Sequence, residues 1–93
     1  VALTNNTRNQ LRIALTSADA ADKLADAIDA GSGVISVHVR RRLAAALGSI
    51  HHANRISDLV QAGQPLAAMD TRLLSSALAS WTAARDIQAE MAS

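Results

Sequence analysis

Apolar positions recur along this chain in short helical stripes. Leu11, Ala14 and Leu15 stand at i, i+3 and i+4, and Ala21, Leu24 and Ile28 resume a similar spacing after a break at Thr16–Ser17. That pattern predicts two short amphipathic helices joined by a tight corner. Thr4 is placed to cap the first helix, because its hydroxyl can accept from a free backbone N–H. Ser17 is placed to cap the second. Asp19 and Asp22 follow in its early turns, where negative charge suits the positive end of the helix dipole. Gly31 supplies a left-handed stop.

The same grammar then returns. A shift of 32 positions lays Arg8 on Arg40, Leu11 on Leu43, Leu15 on Leu47, Ser17 on Ser49, Asp26 on Asp58 and Gly31 on Gly63. A further shift of 31 lays Leu43 on Leu74, Leu47 on Leu78, Ser49 on Ser80, Ala53 on Ala84 and Ile56 on Ile87. A fixed period of this size is the signature of stacked helical repeats. The predicted fold is therefore all-α: one domain over 1–93, with internal repeats at about 3–31, 35–63 and 66–93. Three tandem helical hairpins, about six short helices, form a compact helical-repeat bundle. The third copy opens with Gln64-Pro65, a turn or first-turn signal. Its helix starts at Ala67 by the repeat register, or at Asp70 by capping chemistry. The run Val34–Val39 has local strand propensity, but the register makes it a helix entry.

Composition changes the picture in one respect. Apolar residues make up 49% of the chain, alanine is their largest part, and Trp81 is the sole Phe, Tyr or Trp. Alanine forms helices well but buries little area. The core is thus expected to be thin, and the domain either of limited stability or helped by neighbours. Net charge is +1, which gives no bulk attraction to nucleic acid or anionic membrane. By thirds, residues 1–31 carry −1, residues 32–63 carry +3 and residues 64–93 carry −1. A basic middle between faintly acidic ends favours side-by-side association of copies. With no cysteine, disulfide and thiol chemistry are excluded. No apolar run approaches the ~20 residues that span a bilayer. The stretch VALTNNTRNQ lacks the features of a signal peptide.

Candidate chemistry is sparse. Arg40, Arg41 and Arg42 are the densest charge and could meet phosphate or an acidic partner surface. Helical residues step by about 100°, so the three cannot share one narrow face. They also lack aromatic stacking partners. Asp19, Asp22, Asp26 and Asp29 line one side of a helix, which spreads carboxylates too widely for a calcium loop. They read as a solvated face. His51-His52 point apart and form no chelate. There is no phosphate loop, nucleophile elbow or zinc-protease motif, so the chain reads as non-enzymatic, with no cofactor and no metal. Trp81 stands where the other copies have Ala18 and Ile50. It reads either as a plug over the last hairpin or as an interface anchor. The tentative partner-binding residues are Arg40, Arg41, Arg42, Arg55 and Trp81.

One resemblance bears on function. Leu3-Thr4-Asn5-Asn6-Thr7-Arg8, followed by Leu11, Ala14-Leu15, Ala20-Ala21, Leu24-Ala25, Ile28 and Ala30-Gly31, resembles a short helical motif in virion-associated proteins of tailed bacteriophages. The resemblance covers about the first repeat, 3–31. It implies a structural virion component: a capsid-decorating, cementing or head–tail protein. Its partners would be copies of itself, capsid or other virion proteins. Its place would be the virion, or the host cytoplasm before assembly. The alternative is a small helical nucleic-acid-binding or regulatory domain that uses Arg40–Arg42. A third is an adaptor that grips a peptide helix between hairpins.

Overall fold

The computed structural model describes residues 2–92. They form six helices: α1 (Asn5–Leu15), α2 (Ala18–Ala30), α3 (Val37–Leu47), α4 (Ile50–Ala62), α5 (Ala68–Leu78) and α6 (Trp81–Ala92). No strand occurs among the described residues, and Val37–Val39 opens α3. Each repeat contributes one hairpin: α1–α2, α3–α4 and α5–α6.

The helix boundaries follow from local chemistry. The side chains of Thr4, Ser17, Ser36, Ser49 and Ser80 accept from the N–H of the third residue beyond each. Each bond satisfies one of the donors a helix start leaves orphaned. Ala67 caps α5, as the register requires, without a side-chain acceptor of its own. Asp70 sits three residues inside and accepts the Ala67 N–H at 3.0 Å, which is the returning half of a capping box. The two readings of this helix start thus describe one device. At the corners, Thr16 (φ 53°), Gly48 (φ 75°) and Ala79 (φ 53°) all take the left-handed conformation.

The hairpins close into a ring. Helices α1, α3 and α5 pack on one another, α2 packs on α3, and α6 returns to pack on α1. The matching pair α4 and α5 scarcely touches. At one end the C-termini of α2, α4 and α6 meet around a small cavity lined by the equivalent residues Ile28, Val60 and Met91. Gly63 lies so close to Gly31 there that a Cβ on Gly63 would stand 2.6 Å from the Gly31 carbonyl oxygen. Equivalent residues meeting about one axis make the arrangement a pseudo-three-fold. The bundle is nearly isometric, 27 × 25 × 24 Å.

The core consists of triplets drawn from the three copies. Leu11, Leu43 and Leu74 are buried, as are Leu24, Ile56 and Ile87, and Ala21, Ala53 and Ala84. Leu3, Ile35 and Leu66 form another buried triplet just ahead of each first helix. The thin interior expected from alanine is present. The third hairpin packs on the first and helps to enclose it.

Candidate functional site

Polar contacts concentrate at the joints between hairpins and along the hairpins themselves. Each joint brings one residue of a second helix against one residue of the next first helix. The three second-helix positions are Lys23, Arg55 and Asp86, and the three first-helix positions are Val39, Asp70 and Thr7.

The joints use three different chemistries. Between hairpins one and two, Lys23 and Val39 share the lining of a shallow groove, and Lys23 pairs instead with Asp19 of its own helix at 3.2 Å. Between two and three, the Arg55 Nε donates to Asp70 at 3.0 Å; Asp70 is 1% exposed and Arg55 about half exposed. Between three and one, Asp86 accepts from the Thr7 hydroxyl at 2.7 Å and from the Thr4 N–H at 3.0 Å. The Thr4 hydroxyl donates to the same oxygen at 3.3 Å. Burial pushes the Asp86 carboxyl up, but the bonds from the Thr4 N–H, the Thr7 hydroxyl and the Thr4 hydroxyl together outweigh it and hold it below the usual carboxylate range.

Within hairpins, arginine laces first helix to second. Arg8 reaches Asp29 at 2.6 Å and Asp26 at 3.1 Å, and Arg12 reaches Asp22 at 2.9 Å. Asp29 also accepts the Leu3 N–H at 2.8 Å. Its hydrogen bond to Arg8, against a smaller burial penalty, raises the Arg8 pKa. Asp22, Asp26 and Asp29 therefore stitch the hairpin; Asp22 and Asp26 remain on the solvated face expected from helical spacing, whereas Asp29 is mostly buried, and the spacing does not reveal the arginines opposite. Arg40 repeats the Arg8 pattern, bonding Asp58 at 2.8 Å and the Asn54 side chain at 3.2 Å. In the third copy Thr71 and Ala89 stand at these positions.

The basic cluster is dispersed by this arrangement. Arg40 turns into its own hairpin, Arg42 reaches across to the Thr16 hydroxyl at 3.0 Å, and Arg41 is exposed. Arg55 is engaged at its joint. Trp81 is 51% exposed at the start of α6, with the Arg85 guanidinium 5.9 Å from its ring centroid. An exposed indole at that position does not plug the hairpin. His51 and His52 lie edge to face, 5.8 Å apart, and no group of three metal-ligating side chains occurs among the described residues. No helix of the described residues is long and apolar enough to cross a membrane.

The surface distribution of the large apolar residues is not part of the helical stripes. Ile13, Val34, Val37, Ile50, Met69 and Trp81 are all more than half exposed. Ile13, Val37, Ile50 and Met69 all lie off the predicted core stripes, and that was the available signal. Compared with known proteins, the chain matches no family model and has no significant match among curated sequences or solved structures.

Proposed function

We propose that this protein is a non-enzymatic assembly component that works through protein–protein contacts, as a structural part of a tailed-phage virion: a capsid-decorating, cementing or head–tail element. The observation that carries the reading is the contrast between its polar and apolar residues. Arg8, Arg12, Arg40 and Arg55 are spent on ion pairs within the chain, while six large apolar side chains stand in solvent. Scattered single exposed apolar residues are ordinary on a protein surface, but grouped ones mark contact sites. The virion assignment draws its support from the resemblance of residues 3–31 to phage structural motifs.

The alternative, nucleic-acid binding through Arg40–Arg42, draws less support, because two of the three guanidinium groups are engaged within the chain. Density-gradient fractionation of material from the natural source tests the main reading. The protein is expected in the particle fraction, in a fixed ratio to the major shell protein. Recovery solely in the free-protein fraction would overturn it. A salt titration of duplex binding tests the alternative, since phosphate contacts give affinity that falls steeply with salt.

A further inference from the structure

We infer that the cavity where α2, α4 and α6 end binds the side-chain ammonium of a lysine on a partner protein. The inference rests on the assembly reading for the partner and names the group that the partner inserts.

The cavity has apolar walls and an open mouth. Ile28 and Val60, both buried, line it together with half-buried Ala27 and Met91. Gly31, Gly63 and Gln64 also line it and are exposed, so it opens to solvent. Its volume is about 40 Å³. A water needs roughly 10–15 Å³ of such space, so the cavity admits about three atoms at the tip of one side chain.

One carboxylate in this lining has no counter-charge. Glu90 occupies the repeat position held by Ala27 in the first copy and Leu59 in the second. Those two pack against the core. Glu90 is half-buried like them, yet its carboxylate makes no hydrogen bond or ion pair with any described residue. A charge taken partly out of water without a partner favours an incoming cation. The last turns of α2, α4 and α6 contain no basic residue, so the negative ends of their dipoles are uncompensated. The starts of α1, α3 and α5 lie at the same end, but no residue of those helices lines the cavity. Arg8 and Arg40, near those starts, are held by Asp29 and Asp58.

The surroundings select lysine among cations. The Glu90 carboxylate, the Gln64 amide oxygen and the Gly31 carbonyl offer acceptors, and no backbone N–H among the described residues donates to that carbonyl. An ammonium brings three donors to such a set. The apolar walls suit its methylene stem. A metal ion would need a shell of oxygen ligands that Ile28, Val60 and Met91 do not supply. A guanidinium is planar and broader, with five donors to satisfy.

The methyl resonances of Ile28, Val60 and Met91 report on the walls directly. Nα-acetyl-lysine N-methylamide is titrated into the protein to about 100 mM, a range set by how few atoms make contact. Its norleucine and arginine counterparts are titrated in parallel, with ionic strength matched by potassium chloride. The lysine compound is expected to give saturable shifts at all three residues, with Kd of about 10 mM. The two counterparts are expected to bind about tenfold more weakly. Glu90→Gln and Glu90→Ala, each with unchanged circular dichroism, are expected to lose the lysine response by a similar factor; alanine is what the first copy carries at this position. Absence of shifts at these methyls would overturn the inference. So would equal binding of the norleucine or arginine compound, or lysine binding that survives both substitutions. The assembly reading is judged separately: a protein that fractionates with particles but ignores lysine sinks the pocket alone.

Discussion

The Thr7 hydroxyl donates to the Asp86 carboxylate at 2.7 Å, joining residues 79 positions apart in the chain. That contact closes the ring: it fixes the last hairpin on the first, as Arg55–Asp70 fixes the second on the third. The Thr7–Asp86 contact spans most of the chain and becomes available only after the hairpins have formed, whereas Arg55 and Asp70 are 15 residues apart. The keys differ in kind at each joint. The other order of hairpins around the ring would set Asp86 against Val39 and Arg55 against Thr7, with Asp70 facing Lys23. Asp86 would then lose its hydroxyl donor and Arg55 its carboxylate, which favours the native order.

Acid should loosen the closing joint. The folded-state pKa of Asp86 is depressed. Its contribution is fully present above the unfolded value, near 3.9, and is lost as pH falls through the lower folded value. Thermal melts from pH 7 to pH 2.5 should show a larger loss of Tm for the natural chain than for Asp86→Asn. Parallel curves would contradict this origin.

Ser57 offers a gain in stability. It is fully buried, and its hydroxyl has no hydrogen-bond partner among the described residues. The equivalent residue of the first hairpin is Ala25, also fully buried. Ser57→Ala should stabilise the protein by about 1 kcal/mol, the cost of an orphaned buried hydroxyl. That corresponds to roughly 4–8 °C in Tm for a chain of this size. A fall in Tm would show that the hydroxyl is satisfied in solution.

The corners offer a second comparison between copies. Ala79 holds φ 53° where Gly48 occupies the same position. An L-residue in that region carries roughly 1–2 kcal/mol of strain, partly offset by the greater entropy glycine has when unfolded. Ala79→Gly should therefore stabilise by about 0.5 kcal/mol, read from urea midpoints at unchanged m-value. Thr16→Gly should gain less, because it also removes the acceptor for Arg42.

Gly63 and Gly48 separate strain from contact. Both have positive φ, but a Cβ on Gly48 meets nothing within 4 Å while one on Gly63 meets the Gly31 carbonyl oxygen at 2.6 Å. Gly48→Ala should cost about 1 kcal/mol from backbone strain alone. Gly63→Ala should cost at least about twice that, because the ends of α2 and α4 must separate. Equal losses would mean that the approach of the two helix ends contributes nothing.

The hairpins were legible because stripe, cap and stop recur in register: Ser17, Ser49 and Ser80 fall at one repeat position and cap three helices. The ring was not, because an offset of 32 or 31 residues carries no rotation angle. Its joints were hidden for a related reason. Lys23, Arg55 and Asp86 look like loss of the repeat, and in space they are the positions where the three joints diverge. Sequence neighbours on a helix point apart, so Arg40, Arg41 and Arg42 serve three different surroundings.

Ring closure is tested most directly by nuclear Overhauser effects in isotope-labelled protein at low concentration. Contacts from the Thr7 methyl to Asp86 and its α6 neighbours are expected, alongside those within each hairpin. Intact hairpin contacts without any between residues 3–15 and 81–91 would contradict closure and leave an open stack of three hairpins.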